Sequence, residues 1–126
     1  MDSKILQVAQ AKMVAVFNLS PKELDKASAL IDSVKPFKSP TQPDLFHVHS
    51  QSRSIVYAVN ISTLDCQCEF GKNQMSKSFE NKRHCAHINA AFLYRYYQVE
   101  LERQQKEAEL IDWRVALDAM AMRAGL

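Results

Sequence analysis

The sequence has little of what usually marks an enzyme or a membrane protein. It holds only two glycines, Gly71 and Gly125, so no glycine-rich loop can cradle a phosphate or a dinucleotide. No window approaches the roughly 18 uninterrupted apolar residues of a membrane span, so no membrane partner is expected. Neither sign of charge dominates: 16 Lys and Arg face 14 Asp and Glu, for a formal net charge of +2. That balance gives the chain as a whole little pull on a polyanion. No paired-carboxylate or serine-nucleophile motif stands out, and the reading is a protein that is not an enzyme. The opening MDSKILQVAQAKMVAV carries Asp2 near its start and lacks a small-residue cleavage site, a poor secretory signal, so an intracellular location is expected. There are three cysteines, and three cannot pair off into a disulfide framework because one is always left over.

What is present is an ordinary globular mix, 47% hydrophobic and 24% charged over 126 residues. That is one domain's worth, enough for one modest core. In residues 3–18, Leu6, Ala9, Met13 and Val16 recur at helical spacing, with Phe17 beside them. Ser20-Pro21-Lys22-Glu23 is a helix start: a serine cap, proline in the first turn, and glutamate three after the cap. Leu24, Ala27, Ile31 and Val34 follow as one apolar stripe, which Pro36 is expected to end. Residues 1–35 thus read as an N-terminal helical pair.

Residues 36–44 hold three of the four prolines and read as an extended linker. The period then changes to two. Phe46 and Val48 alternate with His47 and His49. Ile55, Tyr57, Val59 and Ile61 alternate with Val56, Ala58, Asn60 and Ser62. Two strands joined by a polar turn at residues 50–53 make a β-hairpin, and it leads directly into Cys66. His47 and His49 share a strand face, and with no third partner they read as a solvated face.

From Cys85 to Arg123 there is neither glycine nor proline. Phe92, Tyr96, Val99, Arg103, Lys106, Leu110, Trp113, Leu117, Met120 and Ala124 step alternately by four and three, a heptad-like register with a cationic interruption at its centre. One long helix fits, and so do two helices broken in the polar run Glu100 to Glu109. Homo-oligomerisation through this helix is open, although packing against the N-terminal helices is the expectation. The fold class is therefore α+β: an N-terminal helical pair, a β-hairpin carrying a finger over residues 45–94, and a long or broken C-terminal helix over 95–126.

The cysteines fall in two pairs, Cys66-Gln67-Cys68 and Cys85-Ala86-His87, each spaced i, i+2. On extended backbone, residues two apart face the same side, so Cys66 and Cys68 can share one ion. Within a helix they point nearly opposite ways, so Cys85 must sit at or before the helix start with His87 in the first turn. There the positive helix end favours a thiolate. Three sulfurs and one imidazole suit a tetrahedral Zn²⁺, and four protein ligands leave no open position, so the site is structural rather than catalytic. Three thiolates and one Zn²⁺ sum to −1, which takes the formal chain charge from +2 to +1. His84 is an alternative ligand, which the i, i+2 symmetry disfavours.

Cys-x-Cys, a loop of 16 residues and Cys-x-His resemble the SWIM-type zinc finger, as do the hairpin before them and the apolar helix HCAHINAAFLY after them. The resemblance covers about residues 45–94. The chain departs from the family's pattern in lacking a tryptophan in the first strand, where Phe46 stands. SWIM fingers occur in chromatin remodellers, transposases and small recombination accessory proteins. The resemblance therefore implies one structural Zn²⁺ at Cys66, Cys68, Cys85 and His87, with a role in nucleic-acid or protein contact.

Two functional expectations follow. The loop between the ligand pairs carries Lys72, Lys77, Lys82 and Arg83 among amides and hydroxyls, side chains suited to phosphate oxygens, with Arg53 and Lys38 as further candidates. The first expectation is a nucleic-acid-binding accessory factor, with DNA the partner, in recombination, transposition or transcription control. Phe70 and Phe79 in that loop can stack on bases, but in so small a core they are expected to pack beside the zinc. The second is a protein–protein adaptor that docks its partner through the finger or through Leu110, Trp113, Leu117 and Met120 on the C-terminal helix.

Overall fold

The N-terminal third is shaped by its caps. In the computed structural model, which describes residues 1–37 and 41–123, helix α1 spans Ser3–Phe17 and α2 spans Pro21–Leu30. The Asp2 carboxylate accepts from the backbone N–H groups of Lys4 and Ile5, and Asn18 closes α1 in the left-handed conformation that asparagine tolerates. Ser20 and Glu23 form the expected reciprocal capping box, with Pro21 in the first turn. The buried stripe of α1 is Ile5, Ala9 and Met13. Val16, expected on that stripe, lies in the last turn of the helix and is exposed. Helix α2 also stops short of Pro36, tightening into a 3-10 turn at Ile31–Ser33. There the Ser33 hydroxyl donates to the Leu30 carbonyl at 2.7 Å and satisfies one of the free acceptors of the helix end.

Four short strands form an antiparallel sheet in the order β1-β2-β3-β4: β1 Lys35–Pro36, β2 Leu45–His49, β3 Val56–Asn60 and β4 Asp65–Cys66. The expected linker thus begins as an edge strand, where a proline is tolerated, and Phe37 N–H continues the pairing to the Leu45 carbonyl. Lys38 and Ala124 lie outside the described residues. The hairpin register sets Phe46 opposite Val59 and Val48 opposite Tyr57. Phe46, Val48 and Val59 are fully buried, and they pack with Leu30, Val34, Ile61, Leu64, Ile88, Ala90 and Ala91.

Helix α4 is one unbroken helix, Ala86–Arg123, of 38 residues, about 57 Å long. The polar run does not break it because its side chains pair along the helix. Arg103 donates to Glu100 and Glu107, and Gln104 donates to Glu100, at the three- and four-residue spacings that place neighbours on one face. The seam α4 buries is Ala90, Leu93, Tyr97 and Glu100, displaced by one residue (about 100°) from the expected Phe92, Tyr96 and Val99. Leu93 and Tyr97 pack on Ile5, Ala9, Met13, Ala27 and Ile31 of the helical pair, and Lys12 reaches Glu100 at 3.4 Å. Beyond that point α1 and α2 have nothing left to offer. From Glu102 to Met120 every residue but Gln104 is exposed, so the second half of α4 does not pack against the N-terminal helices as expected.

Candidate metal centre

Each of the four candidate ligands is placed by a helix start or a strand end. Cys66 ends β4. Cys68 caps a six-residue helix, α3 (Glu69–Gln74), where its sulfur accepts from Gly71 N–H at 3.2 Å. Cys85 directly precedes α4 and accepts through its carbonyl from Asn89 N–H, and His87 is the second residue of that helix. The helix entry at Cys85–His87 adopts the geometry that its spacing requires, whereas the strand ends at Cys66 and the chain bends through Gln67 and Cys68 into α3. Their ligand atoms all lie within 4.8 Å of one another, and all four residues are buried.

These side chains fit a metal ion, and the clearest sign is His87. Both its ring nitrogens are buried without a hydrogen-bond partner, while the Tyr57 ring meets the imidazole edge-on at 4.8 Å. A buried polar atom left unpaired costs on the order of 1–3 kcal/mol, a cost that coordination would remove at the one ring nitrogen that binds the ion. The thiols point the same way. The Cys66 thiol is pushed up by its hydrogen bond to Cys85 and by burial, and burial raises Cys68. Cys85 is drawn down to about 4 by the Cys66 thiol, with His87 and the Ile88 N–H assisting. One thiolate is favoured in the bare cluster, and a cation is what lets the others ionise beside it. The four side chains can thus hold a metal ion and would fill a tetrahedron. His84 is not among them: its Nδ1 lies 3.0 Å from Asn89 Oδ1, and its ring stacks on Phe92 and abuts Phe17. Among the described residues no His, Cys, Asp or Glu joins His47 and His49 in a second cluster.

The supporting residues were hidden in the sequence. A Cβ at Gly71 would lie 2.2 Å from the Cys66 carbonyl oxygen, so only glycine lets α3 lie this close to β4. Its position three residues after Cys68 was the one available signal. Lys82 closes the loop by donating to the Thr63 carbonyl at 2.9 Å and to Asp65 Oδ1 at 2.6 Å. The buried Gln74 accepts from Arg83 N–H, and Gln67 accepts from Ala58 N–H. These polar residues carry no spacing pattern.

The candidate nucleic-acid residues are placed unequally. Lys72, Lys77 and Arg83 are exposed. Lys82, by contrast, keeps only 10% of its side chain accessible beside Asp65. Lys82 and Arg83 line a groove with Phe17, Phe70 and His84. Arg53 lies elsewhere, on the hairpin turn against α2, where it donates to Asp32 and to the Ala29 carbonyl. Phe70 lines a cavity together with Cys68, Cys85 and His87, beside the cluster as expected but 43% exposed, whereas Phe79 is 58% exposed. Leu110, Trp113, Leu117 and Met120 are each more than half exposed.

Comparison of the chain with family models, with curated proteins and with solved structures finds no match. Fold and site define an α+β protein built around a buried three-cysteine, one-histidine cluster able to hold a metal ion. Among the described residues no helix is long and apolar enough to cross a membrane.

Proposed function

We propose that the chain is a SWIM-like zinc-binding protein without catalytic activity that serves as a nucleic-acid-binding accessory factor in DNA transactions. Zinc is the ion that the donor set favours, since three thiolates and an imidazole match its preference for sulfur and nitrogen in a closed tetrahedron. Its part is structural. It ties β4, α3 and the start of α4 together, and so fixes the loop between the ligand pairs.

The observation that supports nucleic acid is the surface of that loop. Two aromatic rings, Phe70 and Phe79, stand out of it among the exposed cations Lys72, Lys77 and Arg83. Exposed rings are poor choices for a merely solvated loop, whereas rings among cations suit unpaired bases on a phosphate chain. Stacking supplies about 1–3 kcal/mol per base and the cations supply the salt-dependent part. The test is a fluorescence anisotropy titration of zinc-loaded protein against labelled single- and double-stranded DNA and RNA at two salt concentrations. Three phosphate contacts on a single strand give a log–log salt slope of about −2. Changing Phe70 and Phe79 to Ala, or Lys72, Lys77 and Arg83 to Glu, is expected to weaken binding at least tenfold with metal content intact. No binding at low salt would overturn the reading. Lys82 is left out of these variants because its ion pair with Asp65 gives it a structural part.

The adaptor reading has one observation of its own, the row Leu110, Trp113, Leu117 and Met120 left exposed on α4. Apolar rows of that extent mark contact surfaces.

A further inference from the structure

The distal half of α4 bears an apolar row with no partner among the described residues of its own chain, and its charges define what can cover it. We propose that the partner is a second copy of this chain, lying antiparallel along α4 as a short two-stranded coiled coil. This inference does not depend on the nucleic-acid reading.

The row Arg103, Lys106, Leu110, Trp113, Leu117 and Met120 steps by three and four, the spacing that keeps one seam facing a partner helix. Its lower third is cationic and its upper two thirds are apolar. Two parallel copies in register would set Arg103 against Arg103 and Lys106 against Lys106 within the seam. They would also bring Glu102 against Glu107 on its flank. Antiparallel copies avoid all of this. With Leu110 of one copy level with Trp113 of the other, Lys106 meets Leu117 and Arg103 meets Met120. Long cationic side chains then lay their stems on apolar neighbours and keep their heads in water.

The same register places Arg114 of each copy beside Glu107 of the other, where the Glu107 carboxylate, held by Arg103 of its own helix, can bridge the two cations in two symmetric clusters. Sliding by one heptad would instead set Arg114 against Arg114. Flanking pairs of this kind fix orientation and register in coiled coils. The length also fits. In this register residue 123 of one helix lies level with Glu100 of the other, where α4 enters the body of the protein through the contact of Glu100 with Lys12 of α1. Eight large apolar side chains are covered, two of them tryptophans that bury about 150–250 Å² apiece. The interface then reaches on the order of 1,000 Å², the lower end for a specific one.

The experiment is sedimentation equilibrium on the zinc-loaded full chain from roughly 5 to 100 μM, the range over which a micromolar interface fills. The expected mass rises to twice 14.4 kDa, and the emission of Trp113, the chain's one tryptophan, shifts to the blue in step. Leu117→Asp is expected to hold the chain monomeric with its metal content unchanged. Arg114→Glu is expected to weaken the dimer about tenfold, and Glu107→Arg combined with Arg114→Glu to restore it to within about threefold. Rescue by Glu109→Arg in place of Glu107→Arg would overturn the antiparallel register, since Glu109 faces Arg114 only in a parallel pair. A monomer throughout the range would overturn the proposal. So would a monomer whose Trp113 emission responds only to added single-stranded DNA, which would give the row to nucleic acid.

Discussion

Replacing Gly71 with alanine adds one methyl group at the point where α3 meets β4. That methyl would lie 2.2 Å from the Cys66 carbonyl oxygen and 2.9 Å from both the Cys66 carbonyl carbon and its Cβ. Two of the three obstructing atoms are backbone, so no flexible side chain can swing away. The two segments must part by more than about 1 Å to reach ordinary contact. That separation acts on the metal cluster directly. Cys66 is one of the four candidate ligands, and Gly71 N–H bonds the sulfur of Cys68. Overpacking of this kind costs about 1–3 kcal/mol, and at 1.4 kcal/mol per tenfold the metal affinity should fall about 10- to 100-fold. The assay is competition for Zn²⁺ against a colorimetric chelator, alongside thermal melts of the loaded protein. Asn73→Ala, exposed on the same helix, is the control and should stay within about 0.5 kcal/mol. Affinity within twofold of wild type and an unmoved melting temperature in Gly71→Ala would refute the argument that close approach at this residue builds the site.

Two further predictions concern the frame around the site. Arg103, then Gln104, with Lys12 adding to them, hold the Glu100 carboxyl down to about 2 from an ordinary 4.5. A depressed folded-state value stabilises the fold fully above about pH 4.5, and the contribution drains away as pH falls toward about 2. Glu100→Gln should therefore be less stable at neutral pH, with a flatter stability–pH curve across that window. Denaturation midpoints measured from pH 7 to pH 2 check this, and parallel curves for the two proteins would contradict it. Lys82→Ala removes the bonds to Asp65 and to the Thr63 carbonyl. Asp65 is about a third exposed, so the loss should be about 1 kcal/mol in urea denaturation, and an unchanged midpoint would show that the clamp carries nothing.

The parts of this protein that were legible in its sequence are those fixed by local chemistry. The capping box at Ser20 and Glu23, the period-two hairpin strands and the i, i+2 ligand pairs each depend on residues within a turn or two of one another, and all form as read. What was misread depends on distant partners. The buried seam of α4 differs from the heptad row by one residue because α1, α2 and the sheet, not helical periodicity, select the face that turns inward. The heptad row continues past the body, where among the described residues nothing covers Leu110, Trp113, Leu117 or Met120. Phe70 and Phe79 were expected to pack beside the zinc in so small a core; Phe70 does line a cavity with Cys68, Cys85 and His87, yet both rings keep a large exposed surface. Lys82 looked like a loop cation, and only the fold reveals Asp65 beneath it.

The claim on which the account rests is a single Zn²⁺ bound by Cys66, Cys68, Cys85 and His87, and metal quantitation joined to X-ray absorption on the purified chain tests it most directly. The account predicts one zinc per chain, three sulfurs at about 2.3 Å and one nitrogen at about 2.0–2.1 Å, and loss of that signal in Cys66→Ser. Substoichiometric metal, a different ligand count, or full occupancy in Cys66→Ser would contradict it.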